Sequence, residues 1–247
     1  MICDKQKMKK NLIIIPAYNE EKNIENVIES AIKDAPFCDL IVINDGSTDN
    51  TEEIVKKHGV GIISHPFNLG YGESLYSGYK YAYNKNYKNV ISIDGDGQHN
   101  PTEIKELINY LNEKKTDMVI GSRYLEDNKY KTSYIRNIGS KLLSFTTSII
   151  LRKKITDTTS GFRILNKKTI EFLLNHDYFT SGYFGIDVII LLTLNNFKID
   201  EIPINVNERV HGKSMFTLLQ TFYYIYKTTL SIFTIILYNL IFKRMKK

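Results

Sequence analysis

The sequence predicts an α/β protein: a Rossmann-like, mostly parallel β-sheet flanked by helices. From residue 11 to residue 122, short apolar runs alternate with segments whose apolar residues recur at helical spacing. The strand candidates are continuously apolar, which is typical of strands that helices cover on both faces. A chain of 247 residues, 43% hydrophobic and 24% charged, suits one such domain with an appendage.

The predicted elements of the first half follow one another as strand and helix. Strands are expected over residues 11–16, 39–44, 59–64, 89–94 and 117–122. Helices are expected over residues 20–34, 70–83 and 101–114, the last opened by Pro101. Ser47, Thr48 and Asp49 offer caps for a further helix that runs through Lys57. This alternation brings the carboxyl ends of the strands to one edge of the sheet, where ligands of α/β proteins gather.

The second half is less regular. A helical stretch is expected over residues 134–151, a loop entering a strand over 156–165, and a strand over 198–206. From Phe216 to Phe242 the only charge is Lys227, and a basic tail follows. The uncharged piece 228–242 is shorter than the ~20 residues that span a bilayer, so we expect helices in the membrane interface or a hairpin dipping into it. A helix completing a soluble core or a dimer is the alternative.

Charge and cysteine content narrow the classes of partner. The net charge of +6 comes from 33 basic and 27 acidic residues, without a dense basic cluster outside the termini. This mild excess fits phosphate-bearing ligands or an anionic membrane and argues against a nucleic-acid binder. Cys3 and Cys38 have no zinc-ligand spacing and favour a reducing compartment. The apolar run 12–17 is too short for a signal peptide, so a cytosolic body is expected.

Four polar loops are predicted at the carboxyl edge of the sheet. Their sequences are PAYNEE (16–21), NDGSTD (44–49), NLGYG (68–72) and DGDGQH (94–99). One such loop would be an ordinary turn, but four at one edge predict a binding site. In the last loop, Asp94 and Asp96 can share a hard divalent cation such as Mg²⁺ or Mn²⁺, and Gln98 can add an amide oxygen.

These motifs, together with GSRY, DTTSGFR and RVHGKS in order, resemble glycosyltransferase family 2 from about Asn11 to Ser214. Within the family the sequence is most similar to the polyprenyl-phosphate (dolichol-phosphate) sugar transferases. The resemblance implies a GT-A catalytic domain over residues 11–213. A flexible basic N-terminus (1–10) would precede it, and a membrane-associated helical segment with a basic tail (214–247) would follow.

The resemblance also implies roles for individual residues. It assigns the nucleotide-sugar donor to Pro16, Ala17, Tyr18, Glu20, Asp45, Gly70, Asp94, Gly95, Asp96, Arg209 and Lys213. It assigns Mg²⁺ or Mn²⁺ to Asp94, Asp96 and Gln98, and catalytic roles to Asp96, Asp157 and Arg209. A divalent metal and an arginine against the diphosphate would stabilise the charge that develops as it leaves. Two positions depart from the family pattern: Asn44 replaces an aspartate, and Met215 replaces a basic residue.

The implied acceptor site contains Arg123, Arg136 and Ser140, and arginine suits bidentate recognition of a phosphate. A lipid monophosphate is anionic at neutral pH and needs no strong base, so Asp157 would then orient the arginines or the sugar. A hydroxyl acceptor would instead require Asp157 as general base.

The sequence thus predicts inverting transfer of a hexose from UDP or GDP to a polyprenyl (dolichyl or undecaprenyl) phosphate at the cytoplasmic face of the cell membrane. A glycosyltransferase acting on a saccharide or protein hydroxyl is the alternative. A processive synthase is disfavoured because the chain lacks tryptophan for the usual Q-x-x-R-W motif. A silent scaffold would be expected to lose the paired aspartates, and a nucleotidyltransferase to carry a glycine-rich basic loop. The expected partners are the donor, the lipid phosphate and a membrane surface, without nucleic acid, and a homo-oligomer stays open.

Overall fold

The computed structural model describes residues 9–125, 144, 147–148, 153–175, 185–207 and 226–238. They form one seven-stranded sheet with the strand order β3-β2-β1-β4-β6-β5-β7. The strands are β1 (Lys9–Ala17), β2 (Asp39–Asn44), β3 (Gly61–Ser64), β4 (Tyr87–Ser92), β5 (Met118–Ser122), β6 (Arg163–Asn166) and β7 (Ile199–Pro203). The predicted mixed α/β architecture with a mostly parallel sheet is confirmed.

One described strand runs against the others. β1 pairs in parallel with β2 and β4, and β5 pairs in parallel with β7, whereas β6 is antiparallel to both of its neighbours. Arg163, the first residue of β6, lies opposite Ser92, the last residue of β4. Because of this reversal, the loop that enters β6 reaches the same edge as the loops that leave the parallel strands.

Between β1 and β7, six helices with described bounds cover the two faces of the sheet. They are α1 (Ile24–Asp34), α2 (Thr51–Lys57), α3 (Tyr71–Asn84), α4 (Ile104–Lys114), α5 (Lys167–Leu174) and α6 (Ile186–Leu194). Along β1, Leu12 and Ile14 pack in the layer that contains α3, α5 and α6, and Ile13 and Ile15 pack in the layer that contains α1, α2 and α4. All four side chains are at most 1% exposed, which explains why the strand is continuously apolar from Leu12 onward.

Several predicted boundaries shift. The fourth strand was expected over 89–94 and occupies Tyr87–Ser92, in register with β1 from Lys9. The first helix starts at Ile24 because the backbone of residues 20–23 forms a turn in which the Glu20 carbonyl accepts hydrogen bonds from two amides. α6 is apolar on all sides and therefore lacks the amphipathic spacing that predicts a surface helix. Most of the helical stretch expected over 134–151 lies outside the described residues.

Residues 226–238 are helical. Ile235 is buried against the layer of α3 and α6, while an apolar stripe faces outward, formed by Tyr226, Leu230, Phe233 and Leu237 at 67%, 53%, 63% and 44% exposure. No helix in the described part of the chain has the length and apolarity needed to cross a membrane. Association of residues 214–247 with a membrane stays a prediction.

Candidate active site

The first two polar loops are tied together at the carboxyl edge of the sheet. The Asn19 amide donates to the Ser47 hydroxyl at 3.0 Å, and the Thr48 amide donates to the Asn19 side-chain oxygen at 2.8 Å. Glu21 adds a bond from its amide to the Asp49 carboxylate at 3.1 Å. The predicted convergence of these loops is therefore a feature of the structure.

Asp45 connects the second loop to the third. Its carboxylate accepts hydrogen bonds from the amides of Leu69 and Gly70 at 2.9 and 2.8 Å, and it bonds His65 Nδ1 at 2.7 Å. The residue is 3% exposed. Gly70 has φ +100°, which glycine adopts without strain. Asp45 thus anchors the glycine loop, and its expected contact with a nucleotide base stays a prediction.

Asn44, where relatives often carry an aspartate, has a structural reason to be an amide. Its Nδ2 donates to the Glu52 carboxylate at 3.0 Å and to the Ser64 hydroxyl at 3.2 Å. Its Oδ1 accepts from the Ser47 amide at 3.1 Å. A carboxylate would face Glu52 without a proton to share, so asparagine and Glu52 form a matched pair.

Asp94 is held from several sides. The Tyr71 hydroxyl donates to its Oδ1 at 3.0 Å, and its backbone N–H donates to His99 Nδ1 at 3.0 Å. Burial, and then the charge of Asp94, raises the pKa of Tyr71 well above its ordinary value, so the phenol keeps its proton. A Cβ on Gly161 would lie 2.4 Å from Asp94 Oδ1, so a side chain at this position would have to displace the carboxylate.

The residues present fit a divalent cation. The Asp94 side chain is 32% exposed, although Asp96 is only 8% exposed. The backbone N–H of Gln98 donates to Asp96 Oδ1 at 3.0 Å. This bond closes a turn that contains all three predicted ligands. Carboxylate and amide oxygens are the donors that Mg²⁺ and Mn²⁺ prefer, and substrate phosphates commonly complete such shells. The bare Cα of Gly161 leaves the room that the Asp94 carboxylate occupies.

Another group of metal-type ligands lies elsewhere among the described residues. Single ligand atoms of Glu25, Glu29 and His58 lie within 4.8 Å of one another. The two glutamate side chains are 61% and 63% exposed, and none of the three belongs to the polar loops. The expected metal site at Asp94, Asp96 and Gln98 stays a prediction.

Arg123 and Asp157 form a buried bidentate ion pair. Nε and Nη2 of Arg123 donate to the two Asp157 oxygens at 2.7 and 2.8 Å, and Nη2 also donates to the Thr159 hydroxyl. Asp157 is fully buried and Arg123 is 6% exposed. Burial alone would raise the pKa of Asp157, but the charge and hydrogen bonds of Arg123 outweigh it and hold the pKa below its usual value.

The loop that carries Asp157 is fastened to β7. Glu201 accepts hydrogen bonds from the amides of Thr156 and Asp157 at 2.7 and 2.8 Å. Burial raises the pKa of Glu201. At the end of the loop that leads into β6, the buried Arg163 donates to the carbonyls of Ser160 and Thr158. Sequence reasoning alone assigns no role to Glu201, Arg163 or Tyr71; an ionisable residue in or at the start of a short strand is the signal that points to the first two.

Apart from Gly95 of the fourth loop, the remaining described donor residues lie in the first loop or just before it. Pro16 and Ala17 end β1, and Gly95 packs beneath them, since a Cβ there would lie 3.0 Å from the Pro16 carbonyl oxygen. Tyr18 is 43% exposed, and the Glu20 carboxylate accepts from the Asn23 amide group at 2.7 Å. Four predicted residues lie outside the described residues, and their roles stay predictions: Arg136, Ser140, Arg209 and Lys213.

Comparison with known proteins agrees with this geometry. Residues 12–174 match the model of glycosyl transferase family 2. The chain is 30% identical over 210 residues to a UDP-N-acetylglucosamine–dolichyl-phosphate N-acetylglucosaminyltransferase of Methanococcus voltae, covering 78% of this chain and 83% of that protein. It is 27% identical to the polyprenol monophosphomannose synthase of Mycolicibacterium smegmatis, covering 83% and 80% respectively.

A solved structure confirms the GT-A fold. Glucosyl-3-phosphoglycerate synthase from Mycobacterium tuberculosis, in complex with Mn²⁺ and UDP-glucose, superposes with a TM-score of 0.68 at 21% identity. The superposition covers 91% of this chain and 79% of that one. With the polar loops, the paired aspartates and the family match over residues 12–174 in place, the chain belongs to glycosyltransferase family 2.

Proposed function

We propose that the protein transfers a sugar from a UDP- or GDP-sugar to the phosphate of a polyprenyl carrier at the cytoplasmic face of the cell membrane. The observation that carries the choice of acceptor is the Arg123–Asp157 pair. A general base must reach the proton that it removes and must have a pKa near the working pH. Asp157 is fully buried, engaged by Arg123 through both oxygens, and of lowered pKa, so it is poorly suited to deprotonate a hydroxyl.

A phosphate acceptor removes the need for that base. Its second pKa is about 6, so at neutral pH it is largely dianionic. In the reaction a phosphate oxygen attacks the anomeric carbon and forms a new C–O bond. The bond between that carbon and the nucleotide diphosphate breaks, and the diphosphate leaves with the electron pair. No proton moves, and the relatives from M. voltae and M. smegmatis, named for dolichyl-phosphate and polyprenol substrates, support this choice.

Different residues of the chain would bind the metal, the nucleoside and the acceptor phosphate. Asp94, Asp96 and Gln98 would hold Mg²⁺ or Mn²⁺, which when bound supplies positive charge to the leaving diphosphate. Tyr18, exposed beside this turn, would contact the nucleoside. Asp157 fixes the orientation of the Arg123 guanidinium on the acceptor side of the site. We assign the acceptor phosphate to Arg123, Arg136 and Ser140 on the family resemblance.

A membrane surface is the proposed source of the acceptor. The outward stripe of residues 226–238 is apolar, with Phe233 at 63% exposure. The sequence after it ends in KRMKK, whose charge suits anionic lipid headgroups. An apolar helix face followed by basic residues is the composition of helices that lie in a membrane interface.

The test is a transfer assay with radiolabelled UDP- and GDP-sugars, Mg²⁺ or Mn²⁺, and two matched acceptors: a polyprenyl phosphate and the polyprenol of the same length. We expect labelled lipid from the phosphate alone, and loss of product in Asp96→Ala and Arg136→Ala. Label on the alcohol or on a saccharide would move the acceptor to a hydroxyl. Absence of turnover with every donor would refute the catalytic proposal.

A further inference from the structure

The carboxylate of Asp94 is confined more tightly than its partial exposure suggests. Gly161 presses against it, since a Cβ there would lie 2.4 Å from Oδ1 and 2.7 Å from Oδ2. Gly161 is itself fixed, because its carbonyl accepts a hydrogen bond from the Ser92 hydroxyl at 2.7 Å. His99 Nε2 stands 3.8 Å from Oδ2, outside hydrogen-bond range. Among the described contacts, the two oxygens differ in one hydrogen bond, which the Tyr71 hydroxyl donates to Oδ1 at 3.0 Å.

The position of Tyr71 is set by residues predicted to bind the nucleotide-sugar donor. It is the first residue of α3 and follows Gly70, whose amide is bonded to the buried Asp45 carboxylate at 2.8 Å. Leu69 is bonded to the same carboxylate. The phenol therefore projects from the first residue of a helix, and the two residues before it are both hydrogen-bonded to Asp45. Its hydroxyl has little freedom to follow Asp94 if that carboxylate turns.

We infer that Tyr71 is a positioning residue: its hydrogen bond to Oδ1 fixes the orientation of the Asp94 carboxylate and favours Oδ2 as the oxygen that Asp94 offers to the metal. The inference rests on the proposed metal-dependent transfer and concerns how this chain shapes that site. A hydrogen-bonded carboxylate that binds through one oxygen suits the compact octahedral shell of Mg²⁺. A carboxylate free to use both oxygens suits larger, less regular shells such as that of Ca²⁺.

The substitution Tyr71→Phe removes the hydroxyl and keeps the ring. Loss of a group that orients a metal ligand typically weakens metal binding by about 10- to 100-fold. We expect the Kd of Mg²⁺ to rise about 10-fold or more, the Kd of Mn²⁺ to rise less, and the Ca²⁺-to-Mg²⁺ preference to shift toward Ca²⁺. The matched control is Tyr83→Phe on the same helix, which loses a hydroxyl bond to the exposed carboxylate of Glu171 at 3.3 Å.

Binding is measured with UDP and, separately, with GDP present, by electron paramagnetic resonance for Mn²⁺ and by competition for Mg²⁺ and Ca²⁺. Equal affinities and preferences in wild type and Tyr71→Phe would overturn the inference. Tyr71→Leu, which also removes the ring, separates hydroxyl from packing: positioning predicts the same loss as Tyr71→Phe, and packing predicts a loss in Tyr71→Leu alone. A wild-type protein that binds none of the three ions with either UDP or GDP would instead refute the proposed metal-dependent function.

Discussion

The substitution Asp157→Asn neutralises one partner of the buried pair while keeping its shape. Asparagine retains one acceptor oxygen, but its amide group would face the guanidinium N–H groups that now donate to the carboxylate at 2.7 and 2.8 Å. Arg123, only 6% exposed, would then hold an uncompensated charge away from water. We therefore expect a large loss of stability from a change of a single atom type.

The structure sets the size of that loss. Removing one partner of a buried ion pair costs about 3–5 kcal/mol, and the retained acceptor places Asp157→Asn near the lower end, at about 3 kcal/mol. For a chain of this length each kcal/mol lowers Tm by roughly 2–4 °C, so a fall of roughly 6–12 °C is expected. The matched control is Asp200→Asn, which breaks the exposed pair with Lys153, a contact of 2.7 Å worth about 0–1 kcal/mol.

The assay is thermal and urea unfolding of both variants, repeated between pH 3 and pH 7. The folded-state pKa of Asp157 lies below its unfolded value of about 3.9. Its contribution is therefore complete above that pH and is lost as the pH falls through the folded pKa. Asp157→Asn should lack this acid-side loss. A variant within about 1 kcal/mol of wild type, with an unchanged acid limb, would show that the pair is not the stabilising contact that its geometry indicates.

Three further substitutions test other parts of the site. Gly161→Ala drives a methyl group to 2.4 Å from Asp94 Oδ1 and is expected to abolish most sugar transfer while costing stability, measured by turnover and Tm. Asn44→Asp sets a carboxylate against Glu52 and is expected to cost about 1–3 kcal/mol in urea unfolding. Phe233→Glu places a charge on the apolar stripe and is expected to weaken sedimentation with anionic vesicles several-fold.

Each of these has a control in the chain. Gly61→Ala meets only ordinary contacts at 3.5 Å and should retain transfer. Adding Glu52→Gln to Asn44→Asp restores a donor between the two side chains, so stability should recover; a double variant as unstable as the single one would contradict the matched pair. Thr229→Glu carries the same charge on an exposed position beside the stripe, and equal vesicle binding by both glutamate variants would argue against the stripe as the membrane contact.

The first half of the fold could be predicted because its strands are buried on both faces and are therefore continuously apolar. The same logic failed for the direction of β6, since the four residues of that strand carry no mark that distinguishes a parallel from an antiparallel neighbour. The pairing of Arg123 with Asp157 was also beyond the sequence. The two residues are 34 positions apart, and only the reversal of β6 brings the loop of Asp157 beside the end of β5.

Because β6 runs antiparallel to its neighbours, a single loop contributes to both sides of the proposed site. One short loop, entering β6, carries both Asp157, which fixes Arg123 on the proposed acceptor side, and Gly161, which confines Asp94 on the metal side. Glu201 holds the first half of the loop from β7, and Arg163 holds the second half from within the core. A substitution of Glu201 or Arg163 should therefore impair the proposed acceptor side and the proposed metal side together. For the same reason, a variant of Glu201 that changed acceptor KM alone would show that the two ends of the loop move independently.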